Sequence, residues 1–75
     1  MAKLIRQRET RYILTNDAGD QIGSLGRTTT SNGYQMWRFE AADVFHPYYD
    51  FVTPAECVRW LQNEQGLQVE LIEGN

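Results

Sequence analysis

The sequence has little of what small proteins use as covalent or metal staples: one cysteine, one histidine and two prolines among 75 residues. A lone cysteine excludes an internal disulfide and a cysteine-based zinc cluster. No apolar run approaches the ~18 residues needed to cross a bilayer, which excludes a membrane-spanning helix. The opening Met-Ala-Lys-Leu-Ile-Arg-Gln-Arg has no apolar stretch of the signal-peptide kind. Together these features predict a cytoplasmic protein without a membrane partner. With 41% hydrophobic residues and a formal net charge of −3, the chain is too apolar and too weakly charged to be disordered. Its length fits one domain over residues 1–75, whose core must be economical, because a chain this short buries only about 60% of its unfolded surface.

Charge is unevenly spread. Residues 1–11 hold Lys3, Arg6, Arg8 and Arg11 against Glu9, whereas residues 12–75 hold three arginines against nine carboxylates. The balance is +3 for the first segment and −6 for the rest. Such a body repels a nucleic-acid backbone, while the N-terminal segment attracts one. A solvated, solubilising surface is the plain alternative.

Residues 10–15 are β-branched and aromatic, and they end in the turn formers Asn16-Asp17-Ala18-Gly19-Asp20. Residues 21–30 read as a second strand closed by Asn32-Gly33, and residues 34–41 as a third. An Asn-Gly pair between strands predicts a type I′ turn, with positive φ at both central residues. That turn sets Ser31 opposite Tyr34, Thr28 opposite Trp37, Gly26 opposite Phe39 and Ser24 opposite Ala41. Ile22, Gly26 and Thr28 then share a face with Trp37, Phe39 and Ala41, and the Phe39 ring covers the bare backbone of Gly26. Arg27 falls opposite Arg38 on the other face. A five-residue first loop places Tyr12 and Leu14 on the side of Ile22.

Thr53-Pro54-Ala55-Glu56 opens the one clear helix. Thr53 caps it, Pro54 suits the first helical position, Glu56 completes a capping box and Gly66 stops it. Cys57, Val58, Trp60 and Leu61 form an apolar stripe whose destination is the Trp37/Phe39 face. Residues 67–72 alternate like a strand, with Leu67, Val69 and Leu71 toward the helix. Residues 1–9 are expected to be a mobile basic arm or a short edge strand. The fold class is therefore α+β: an antiparallel β-meander of three strands plus a C-terminal strand, packed against a single α-helix.

Residues 42–52 join the third strand to the helix and carry four of the nine aromatic residues. Phe51 is placed to staple against Val58 or Cys57, and Phe45 to pack beneath the loop. Tyr48 and Tyr49 point opposite ways, which leaves one facing water. Exposed tyrosines among carboxylates suit protein contacts, because Tyr supplies large area at low entropic cost.

Catalytic chemistry finds little to work with. Cys57 and His46 lack an implied third member of a nucleophilic triad, and Cys57 lies on the apolar stripe. Asp43, His46 and Asp50 lack zinc or EF-hand spacing. The glycines serve turns and do not form a phosphate loop. No catalytic residue, metal or cofactor is assigned. The expected function is a non-enzymatic interaction module that binds a protein partner through Tyr48, Tyr49, Glu40, Asp43 and Asp50. In size and charge the chain is similar to small acidic inhibitors encoded by phages and mobile elements, whose carboxylates imitate a phosphate array. No motif carries that likeness, and no family is assigned. The alternative is nucleic-acid binding by the N-terminal arm and a basic sheet face holding Arg11, Arg27, Arg38 and Tyr34. A third reading is a homodimer formed through an open sheet edge or around Met36.

Overall fold

The computed structural model describes residues 1–41 and 49–74. Six strands form one sheet: β1 (Ala2–Arg8), β2 (Arg11–Thr15), β3 (Gln21–Thr29), β4 (Gln35–Ala41), β5 (Tyr49–Phe51) and β6 (Val69–Ile72). A single helix, α1 (Pro54–Glu64), lies between β5 and β6 in the chain. Strand order is β5-β4-β3-β2-β1-β6, and every pairing is antiparallel except β1 with β6. This is the predicted α+β architecture, with β1 and β5 added to the strands read from the sequence. Because β5 and β6 are the two edges, the helix carries the chain across one face of the sheet.

Both long hairpins close with the same three-residue loop. The Gly33 amide bonds the Thr30 carbonyl and the Thr30 amide bonds the Tyr34 carbonyl; Gly19, Asn16 and Asp20 repeat the pattern. Gly33 and Gly19 have φ of +86° and +88°, while no non-glycine residue among the described ones has positive φ. Asn32 therefore cannot be the first residue of a type I′ turn. The loop is the three-residue kind, with a glycine in the left-handed region at its third position.

The longer loop moves the register by one residue from the predicted one. Leu25 faces Phe39, Arg27 faces Trp37, Gly23 faces Ala41 and Gly26 faces Arg38. Side-chain direction alternates, so the slip exchanges the two faces of β3 while β4 keeps its own. Leu25, expected on the mixed face, is fully buried. Gly26 and Thr28, expected against the helix, lie on the outer side. Arg27 and Arg38 are not opposed; they point to opposite faces. Burying a leucine is worth about 1.5–3 kcal/mol, which favours the observed register over the predicted one. In the first hairpin Tyr12 and Leu14 join this core opposite Leu25 and Gly23. A register shift between Leu14 and Thr15 accompanies Ile22, which packs partly buried against the same cluster.

The predicted helix signals form as written. The Thr53 hydroxyl accepts from the Glu56 amide at 3.3 Å, and the Glu56 carboxylate accepts from the Val52 amide at 3.0 Å. Gly66 ends the helix at φ +63°, and the Leu67 amide turns back to the Leu61 carbonyl. Cys57 and Leu61, one turn apart, are buried, whereas Val58 and Trp60 flank them and are half-buried. Phe51 packs its ring 5.6 Å from Trp60 rather than stapling only to Val58 or Cys57. Trp60 also meets Phe39 edge-on at 5.8 Å, and Trp37 is buried against Tyr12 at 5.3 Å.

Residues 2–8 are neither a mobile arm nor an edge. Strand β1 lies between β2 and β6, with Leu4 fully buried. Its parallel pairing with β6 joins the two ends of the chain. At the exposed side of β6, the Gln62 side chain donates to the Val69 carbonyl at 3.2 Å and occupies part of that open edge.

The glycine covered by Phe39 is Gly23, not Gly26. A Cβ on Gly23 would stand 2.9 Å from the Phe39 ring and 3.2 Å from the Glu40 carbonyl. Replacing Gly23 with Ala should lower stability by about 1–3 kcal/mol through this overpacking, read as a lower urea midpoint at unchanged m.

Candidate functional site

One of the N-terminal cations, Arg6, is turned to internal use. The Arg6 guanidinium donates to the carbonyls of Arg8 and Glu9 at 3.3 and 3.0 Å, and to the Glu73 carboxylate at 3.4 Å. It also lies 5.6 Å over the Tyr12 ring. The Tyr12 hydroxyl donates to the same carboxylate at 2.5 Å. Arg6, Tyr12 and Glu73 thus tie β1 and β2 to the segment after β6. Burial and the bond to Glu73 raise the Tyr12 phenol to about 12.

Cys57 is fully buried, and that burial pushes its thiol up to about 12. A neutral thiol in the core is a small apolar side chain rather than a nucleophile. His46, its only conceivable imidazole partner, lies outside the described residues. So does Asp43, one of the three residues weighed as metal ligands. Among the described residues, no three of His, Cys, Asp and Glu converge.

The surface around β5 is different in kind. Tyr49 is 46% exposed, and its ring lies tilted against Trp60 at 4.7 Å between centroids. Val52, just beyond, is 61% exposed. Tyr49 faces Phe39 across the ladder, so it belongs to the helix-side face at its open edge. Trp60 therefore has two roles, joining the core through Phe39 and supporting Tyr49 at the surface. Sequence reasoning assigned it only the first. The available signal was its position beside, rather than on, the Cys57–Leu61 line of the helix.

Asp50 points the other way and is register partner to Arg38. The two form an ion pair at 3.0 and 3.4 Å. Asp50 is thus matched by a cation, and an exposed pair of this sort contributes about 0.2–1 kcal/mol. Glu40 is exposed two residues along β4 from Arg38 on the same outer face. Of the five residues predicted to contact a protein, Tyr49, Asp50 and Glu40 gather near the β4–β5 edge; Tyr48 and Asp43 lie outside the described residues.

The arginines proposed for nucleic acid do not converge. Arg11 and Arg38 both stand opposite Gly26 and share the outer face. Arg27 is on the helix-side face, 5.7 Å over the Trp37 ring and bonded to the Gln35 side chain. Tyr34 is 69% exposed where β4 leaves the loop, its backbone bonded to Thr30. The slip of one residue accounts for the separation, since it turned Arg27 to the opposite side. None of the helices among the described residues is long and apolar enough to cross a membrane.

No protein-family model, curated protein or solved structure matches the chain. The functional reading rests on geometry alone.

Two measurements test this account of the buried groups. Native protein should leave Cys57 unlabelled by a thiol reagent at neutral pH, with complete labelling once the chain is unfolded in denaturant. Folding stability should fall as pH rises from about 10, the ordinary tyrosine value, to about 12, the folded value for Tyr12. The sign follows from the raised value: unfolded Tyr12 ionises first, so the unfolded state gains over that window. Tyr12→Phe should remove the last alkaline step in tyrosine absorbance.

Proposed function

We propose that this protein is a non-enzymatic interaction module whose contact with a protein partner is centred on Tyr49 and Trp60. The observation that carries the reading is an aromatic pair at a sheet edge. Tyr49, nearly half exposed, rests on a tryptophan that is itself packed into the core. A rigidly backed aromatic loses little side-chain freedom on binding and presents a large area, the usual character of an interface hot spot. Val52 extends the apolar part of the contact, and Glu40 lies at the neighbouring strand.

Charge favours a basic partner. The chain carries a net −3, and Arg6, one of its four N-terminal cationic side chains, is committed to internal bonds. A net acidic body speeds association with a positive surface. A nucleic-acid-binding site on another protein has that character, and inhibition of such a site is the specific role this surface suits. Nucleic-acid binding by this chain itself is the weaker reading, because Arg27 faces away from Arg11 and Arg38.

Affinity purification from a lysate, with and without nuclease, tests the proposal when wild type is run beside Tyr49→Ala and a control, Glu64→Gln. The expected result is a protein retained by wild type and control after nuclease treatment and weakened about 30-fold or more by Tyr49→Ala, the effect of losing a hot-spot side chain. Circular dichroism of the three proteins should coincide. Equal retention by Tyr49→Ala would remove this surface from the proposal, and loss of every partner on nuclease treatment would reverse the choice of partner.

A further inference from the structure

The helix covers one face of the sheet, and among the described residues no element lies on the other. That outer face holds an unbroken apolar row, because Ile5 pairs with Ile13 on one side and Ile72 on the other. It also has a charge character unlike that of the whole chain. Alternation along the paired strands, with the shift that sets Arg8 beside Arg11, places four cations on it (Lys3, Arg8, Arg11 and Arg38) and three carboxylates (Glu40, Asp50 and Glu70). These nearly cancel, so the net negative charge of the chain resides elsewhere on the molecule.

Gly26 stands in the middle of this face, opposite both Arg11 and Arg38. Every other described glycine has either positive φ or a crowded Cβ position, with Gly23 the crowded one. Gly26 has neither: its φ is not positive, and a Cβ there would meet nothing within 4 Å. Glycine weakens the interior of a strand and commonly marks a place where another backbone or a ligand approaches closely. Nothing among the described residues requires it at this position.

We infer that the outer face, centred on Gly26, is the contact surface for a second copy of this chain. A two-fold interface must be complementary to itself, and a face with an apolar row and interspersed charges of both signs meets that condition. A polyanion is a poorer occupant, since three carboxylates share the face and Arg38 is already paired with Asp50. Repulsion between acidic copies acts over the rest of the surface but not here. The size is suitable: six strands about 4.8 Å apart and some 20 Å long present on the order of 600 Å² per copy, near the low end of specific interfaces. The bare floor at Gly26 and its small neighbour Ser24 lets the two sheets approach between the long arginine side chains.

Sedimentation equilibrium of the full chain from about 1 μM to about 1 mM tests this, because an interface of this size should associate within that range. Wild type should rise from the monomer mass toward twice that value. Gly26→Val should fold with unchanged circular dichroism and a melting temperature no lower than wild type, while weakening the dimer about tenfold or more. Ile5→Lys should do the same through the apolar row. Tyr49→Ala should leave the dimer intact, which separates this inference from the partner surface at β5. A wild type that stays monomeric throughout, or a dimer indifferent to Gly26→Val and Ile5→Lys, overturns it. So does salt-sensitive binding of duplex DNA by the outer face in place of self-association.

Discussion

A single eleven-residue helix can cover one face of this six-stranded sheet, and that limit organises the molecule. The covered face collects the large side chains: Leu4, Tyr12, Leu14, Leu25, Trp37 and Phe39 meet Cys57 and Leu61. Trp60 stands at the margin of the layer, where it holds Phe39 inward and Tyr49 outward. Gly23 follows from the same constraint, since Phe39 occupies the space its side chain would need. The one-residue setting of β3 against β4 decides which side chains reach this layer. It places Leu25 within and Gly26 without, so the character of both faces descends from one turn.

The charge asymmetry has a structural origin as well. A basic N-terminal segment in an acidic protein invites an electrostatic function, yet Arg6 is consumed in fastening the chain ends. It satisfies two carbonyls at the β1–β2 turn and shares Glu73 with the Tyr12 hydroxyl. Burial first, and then donation to the Glu73 carboxylate, which only the protonated phenol can make, keep Tyr12 from ionising. The bonds connect positions more than sixty residues apart, in a chain with no covalent cross-link. They supplement the parallel pairing of β1 with β6, whose long sequence separation makes it costly in loop-closure entropy.

Much of the fold is legible in local sequence. Thr53, Pro54, Glu56 and Gly66 mark the helix because each satisfies or terminates backbone bonds in a way its neighbours cannot. Trp37 and Phe39 reveal their face by alternation. What could not be read depends on residues distant in sequence or on a single dihedral angle. Asn32-Gly33 suits two loop lengths, and only the negative φ of Asn32 distinguishes them. Nothing near Leu4 announces that β6 will pair beside it, so β1 resembles a loose arm until the chain returns. For the candidate site, the exposure of Tyr49 could be anticipated from its neighbour Tyr48 and the run of carboxylates. Its support by Trp60 and the matching of Asp50 by Arg38 required the β4–β5 register.

The geometry of the β4–β5 edge would let the two proposed contacts coexist on so small a body. Tyr49 and Asp50 are adjacent, and strand alternation sends one toward the helix side and the other to the outer face. A partner seated on Tyr49, Trp60 and Val52 approaches from the helix side of the edge. A second copy seated over Gly26 approaches from the opposite side, where Asp50 is held by Arg38. The two surfaces meet only along β5, a strand of three residues. Occupying one therefore need not displace the other, and a dimer would present two aromatic edges related by the two-fold axis. Bivalent presentation raises apparent affinity for a repeated or dimeric target without any new contact. For a chain of 75 residues, doubling the surface this way is a physically inexpensive route to strong binding.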